Sequence, residues 1–190
     1  MNKIIWPLLL CAVLCGCGGG ETGNAVQEQY RTLETARLEA EVTSHTSTDS
    51  RTFTLLCSYD ADGDAVTTVT DPGELAGLTA VVSGTDMTLS SEGLQLPAGA
   101  SLDICPANCL PYLLRALADG YVLEQSSEVL DDTPCLRLAL DTTAPGGGKV
   151  LCAVWLDAEG LFPRYAEFSR NEQVVLTVKL LAFTCTTSEG

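Results

Sequence analysis

Five short runs, YVLEQSSEVL, PCLRLALD, KVLCAVWLD, PRYAEFSR and QVVLTVKLLAF, occupy the chain from Tyr121 almost to its end. They are separated by DDT, TTAPGGG, AEGLF and NE. Turn signals recur about every 8–12 residues, the pattern of an antiparallel meander. In the last run Val174, Leu176, Val178, Leu180 and Ala182 form one wholly apolar face, and Val175, Leu181 and Phe183 make the other partly apolar.

The first half reads similarly. Leu38, Ala40 and Val42 alternate with charged and polar residues, as in a strand with one buried face. Phe53, Leu55, Cys57 and Tyr59 alternate within RTFTLLCSYD, and AVTTVT continues as a hairpin partner across an Asp/Gly turn at 60–64. The turn's D-x-D-G-D spacing is shorter than a calcium loop and lacks its closing glutamate, so a solvated hairpin tip is expected. The stretches DPGELAGLTAVVSG and TDMTLSSEGLQLP add a turn and two more short strands.

Two segments carry the helical period. Val26, Tyr30 and Leu33 are spaced i, i+4, i+7, which predicts a first helix over 25–36 with Asn24 as N-cap. Pro111 near the start and Gly120 past the end bracket a second, with Leu110, Leu113, Leu114 and Leu117 on one face. Such a stripe serves packing more often than ligand binding.

The front of the chain, MNKIIWPLLLCAVLCGCGGG, has one lysine and then an apolar run from Ile4 to Leu14. The run is short for a membrane span, which needs about 20 apolar residues. Leu14-Cys15-Gly16-Cys17 resembles a bacterial lipobox, in which the small residue precedes the cleavage site and the cysteine thiol takes a diacylglycerol. An ordinary secretory signal is the alternative. The expected organisation is a signal peptide over 1–16, a lipidated Cys17 with a flexible tether to residue 24, and one domain over 25–187. Two acyl chains on one thioether give lasting attachment to the cell membrane, on its extracytoplasmic face.

The chain carries 10 Lys+Arg and 25 Asp+Glu, a formal net charge of -15. This argues against nucleic acid as a partner and against electrostatic docking to anionic lipid. Beyond Cys17 lie six cysteines, Cys57, Cys105, Cys109, Cys135, Cys152 and Cys185. An even number in an exported chain suggests disulfides, with the connectivity undetermined; buried free thiols are the alternative. Cys105 and Cys109 lie in a loop and could close a small ring. Three residues separate them, where a thioredoxin-type site has two.

No catalytic signature is present. His45 is the only histidine and sits in a polar strand end, where a solvated role is expected. No G-x-S-x-G, H-E-x-x-H, phosphate loop or dinucleotide fingerprint occurs, and no metal or cofactor is implied.

A helix, a long antiparallel meander, an inserted short helix and more meander is the order of elements in LolA/LppX-like half-barrels. The stretch Val154-Trp155-Leu156-Asp157 through Gly160 to Pro163-Arg164 is similar to the hairpin common in that group, and the Leu181-Ala182-Phe183 end fits as well. The resemblance spans about residues 25–185. It implies an α+β fold: a strongly curved antiparallel sheet covered by an N-terminal helix and a short inserted helix. In that family the sheet wraps a hydrophobic cavity; some members carry the acyl chains of lipoproteins, and related folds bind lipids or proteins. A tethered domain cannot shuttle between two membranes, so lipoprotein sorting is not implied.

Two functions remain. One is a binding module for a lipid or acyl chain, with Phe53, Leu55, Tyr59, Leu113, Leu117 and Trp155 lining the cavity. The other is a scaffold for another exported protein, such as a cell-wall enzyme. An empty apolar cavity would favour the first; a packed interior with an exposed apolar patch would favour the second. A thiol-redox role for Cys105 and Cys109 is a third reading and requires a lowered thiol pKa.

Overall fold

The computed structural model describes residues 19–100, 103–144 and 146–188. The signal segment and Cys17 lie outside the described residues. Helix α1 (Gly19–Arg31) leads into β1 (Leu33–His45), β2 (Ser50–Asp60), β3 (Ala65–Asp71), β4 (Thr79–Ser83), β5 (Asp86–Ser91) and β6 (Leu94–Ala100). Helix α2 (Cys109–Asp119) follows, then β7 (Tyr121–Leu130), β8 (Thr133–Thr143), β9 (Lys149–Asp157), β10 (Pro163–Arg170) and β11 (Gln173–Thr187).

All eleven strands join one sheet in the order β6-β5-β4-β3-β2-β1-β11-β10-β9-β8-β7. Every neighbouring pair is antiparallel. The sheet is not closed: β6 and β7 are its two free edges, and α2 carries the chain from one to the other. Pairing of β1 with β11 welds the two meanders into one open half-barrel.

Period-two alternation sets the inner face. Leu38, Ala40 and Val42 of β1 are fully buried, and their strand neighbours Arg37, Glu39 and Glu41 are exposed. Register carries this face across the sheet: Ala40 lies opposite Leu55 and Leu180, and Phe168 lies opposite Cys152 and Leu176. Into the curve go the helices. Leu110, Leu113, Leu114 and Leu117 of α2 are at most 2% exposed. Burying a leucine this fully contributes about 1.5–3 kcal/mol. The helix ends where Gly120 donates its N–H to the Ala116 carbonyl at 2.8 Å. A Cβ at Gly120 would lie 2.5 Å from that carbonyl oxygen, so the stop requires glycine.

Three expectations need correction. The tether expected up to residue 24 is helical from Gly19, and Asn24 lies inside α1 rather than at its N-cap. Tertiary contact outweighs the low helix propensity of glycine here: a Cβ placed on Gly23 would sit 3.7 Å from the Val122 side chain and 3.2 Å from Gln125 Oε1, so α1 lies close against β7 at this point. The first helix also stops at Arg31, because Leu33 is claimed by the β1–β11 ladder. Third, the apolar face expected along the last run is interrupted. Glu39 pairs with Ala182 and Ala40 with Leu180, so Leu181 is a bulge; Ala182 turns outward and Phe183 inward, opposite Leu38. The segment from 94 to 100 also forms a strand of its own beyond the two expected there.

Candidate functional site

The inside of the curve is a core. Leu113 and Leu117 have no accessible surface and Leu55 has 1%, so these expected lining residues border no void wide enough for water. Phe53 and Tyr59 are half-buried and pack against the same cluster. Trp155 lies on the other face. It pairs with Arg137 and Tyr165 between the inward Val154 and Leu156, so the alternation that buries its neighbours turns it outward. There Arg137 stacks over the indole 5.3 Å from its centroid, Tyr165 packs at 5.4 Å, and Trp155 Nε1 donates to Glu128 at 2.8 Å. Arg137 also pairs with Glu124 at 3.2 Å.

A groove of about 500 Å³ opens at the surface where two bulges meet. Pro163 pairs with Leu156 and Tyr165 with Trp155, which leaves Arg164 as the extra residue of β10 beside the Leu181 bulge. Phe162, Leu181 and Phe183 supply apolar lining, and Arg164 and Lys179 are its cations. Neither cation makes an ion pair among the described residues. Phe162 is 39% and Leu181 51% exposed. The groove wall is held from beneath. Asp157 accepts backbone N–H bonds from Glu159, Gly160 and Phe162, and α1 reaches across to the same loop. Gln29 donates to the Gly160 carbonyl at 3.1 Å and Tyr30 donates its hydroxyl to the Leu161 carbonyl at 3.0 Å. The Trp-Leu-Asp…Gly…Pro hairpin is thus a loop-building device: its aspartate caps the turn while Leu161 adopts a left-handed φ of 57°.

A second groove, of about 530 Å³, opens beside α2 between Tyr112, Ala116, Tyr121 and Thr142. Its wall is tied by a hydrogen bond between the Tyr112 and Thr142 hydroxyls.

All six described cysteines are free thiols, so the structure holds no Cys105–Cys109 ring. The two are one helical turn apart at the start of α2, where the Cys109 N–H donates to the Cys105 carbonyl at 3.0 Å. Burial pushes both thiols up, and the Cys105 and Cys57 thiols beside it raise Cys109 further. That is the opposite of the lowered pKa a redox thiolate needs, so the surroundings of these two thiols do not favour the thiol-redox reading. His45, expected to be solvated, is half-buried between hydroxyls, with Nδ1 3.1 Å from Ser50 Oγ and Nε2 3.2 Å from Thr177 Oγ1. No carboxylate among the described residues contacts its ring. Among the described residues no group of three or more His, Cys, Asp or Glu could hold a metal ion. Within them, too, no helix is long and apolar enough to cross a membrane.

No family model and no curated protein matches the chain. Solved structures do. A DUF1329 family protein from Desulfovibrio piger is 12% identical, with 90% of this chain and 94% of that one aligned at a TM-score of 0.54. An uncharacterized conserved protein from Thermus thermophilus is 9% identical over 89% of this chain and 88% of that one, with a TM-score of 0.52. A LolA superfamily protein from Nitrosomonas europaea is 12% identical over 88% and 94%, with a TM-score of 0.47. The chain shares its fold, an open antiparallel half-barrel, with the Desulfovibrio and Thermus proteins. At these identities the likeness is one of fold, and function is argued from the half-barrel's own surfaces.

Proposed function

We propose that this half-barrel is a non-enzymatic lipoprotein, anchored through Cys17 on the extracytoplasmic face of a bacterial membrane, and that it holds another exported protein through the groove at its two bulges. One observation carries the reading. The space inside the curve is filled by the protein's own leucines, whereas Phe162 and Leu181 stand exposed around the bulge groove. The partner segment fitted by that groove presents an apolar side chain to Phe162, Leu181 and Phe183, with Arg164 and Lys179 beside Asp131 and Asp157 giving the groove a charge-balanced rim.

A lipid or acyl chain is the second reading, favoured by the groove beside α2. An acyl guest there would lie along Tyr112 and Ala116, with each buried CH₂ contributing about 0.8 kcal/mol.

Crosslinking in membranes, followed by native mass spectrometry of the purified protein, separates the two. The expected result is a stoichiometric protein adduct that is lost in Leu181→Asp while the circular dichroism stays unchanged. A lipid-sized mass released on denaturation, with no adduct, would replace the protein partner by a lipid.

A further inference from the structure

We infer that the free edge strand β7 rests on the bilayer, so that the half-barrel is seated on the membrane in one orientation instead of swinging from it. The inference rests on the proposed acylation of Cys17.

Helix α1 crosses the mouth of the half-barrel. Its C-terminal end sits over β11, with Tyr30 6.5 Å from Phe183. Its N-terminal half lies on β7, where Gly23 packs against Val122 and Gln125, and Gln27 donates to the Gly120 carbonyl just before the strand. The anchor therefore arrives at the β7 edge. From Gly23 back to Gly19 is four residues of helix, about 6 Å. Cys17 precedes Gly19 by two residues, which span at most about 7 Å. A lipid on Cys17 is thus tethered within about 13 Å of Gly23, which packs on the strand, while the headgroup layer alone is roughly 5–8 Å deep per leaflet.

The edge is built for such a seat. Tyr121 is 73% exposed, Leu123 54% and Val129 71%, and Leu123 is the bulged residue between the Val122 and Glu124 pairings. Tyrosine and leucine side chains suit the boundary between headgroups and acyl chains. The other free edge, β6, also exposes Leu94 and Leu96, but it carries Pro97, which blocks further pairing. No proline, lysine or arginine guards β7. A membrane covering it would supply the missing protection. The strand's only charges are Glu124 and Glu128, so the surface it fits is zwitterionic.

The test uses the acylated protein in phosphatidylcholine vesicles carrying brominated acyl chains. In a Trp155→Phe background, Leu123→Trp reports on β7 and Leu96→Trp on β6. The expected result is a blue shift and loss of most emission for Leu123→Trp, with Leu96→Trp unquenched. Inserting a long glycine–serine spacer after Gly18 should restore the lost emission. Equal, weak quenching at both positions in vesicle-bound protein would overturn the inference, and Tyr121→Trp repeats the reading if Leu123→Trp misfolds. Protein that fails to float with the vesicles would mark failure of the acylation itself.

Discussion

The sheet has two unlike halves. From β2 through β1 and β11 to β8, strands curl around two helices, and Phe168, Leu38, Leu138 and Leu156 have no accessible surface. Beyond β3 the sheet is a wing over a small cluster of its own, Ala65, Ala80, Val82 and Met87, packed with Tyr59, Leu89, Cys105 and Ala107. At its rim residues 94–98 are all exposed. The difference teaches that the helices supply the second layer a half-barrel needs. Where their side chains reach, the sheet has a core; where they end, strand pairing carries most of the order.

That contrast can be broken experimentally. The largest effect belongs to the helix-filled half: Leu113→Ala or Leu117→Ala should lose about 2–5 kcal/mol in equilibrium denaturation. A loss no larger than that of a wing substitution would erase the distinction.

Cys57 sits on the seam, opposite Thr67 of β3 and beside Cys109. Burial raises its thiol from 9.0 to about 11. The folded state therefore keeps a proton that the unfolded chain releases. The contribution to stability is full below pH 9 and disappears as the pH climbs toward 11, on the order of 2–3 kcal/mol. Stability curves over this range should fall less steeply for Cys57→Ala than for the parent.

In the wing, Val82→Ala should lose about 0.5–1.5 kcal/mol, the scale of a partly collapsing small cluster. Hydrogen exchange should quicken in β4, β5 and β6 and stay unchanged in β8 to β11; uniform quickening would mean one cooperative unit. Tyr30→Phe removes the hydrogen bond to Leu161 and should lose about 0.5–1.5 kcal/mol, with faster exchange confined to residues 158–162. Least of all, Trp155→Phe should lose under about 1 kcal/mol, since the indole cluster with Arg137 and Glu128 is half exposed. A larger loss there would assign the outer face a structural role.

Much of the fold was legible. Alternation at Leu38, Ala40, Val42 and at Leu55, Cys57 named the inward residues, and the leucine stripe of α2 named the filling. What escaped sequence reading is what bulges and contacts decide. A single extra residue at Leu181 reverses the facing of Ala182 and Phe183, and nothing in LLAF marks which leucine is extra. Leu156 and Trp155 are equally apolar neighbours, so pattern alone could not say which faces the helices. The bulge groove combines Phe162 with Phe183, residues brought to a ring separation of 5.4 Å by strand pairing.

Local chemistry therefore determined the strands, their turns, the inserted helix and the acidic, cysteine-rich character of the chain, because period, glycine and proline act over a few residues. Tertiary structure alone decided three things: that the concavity is filled, that the described thiols stay unpaired, and that the N-terminal half of α1 lies on β7. Each depends on which distant elements meet, and that is settled by packing across the sheet.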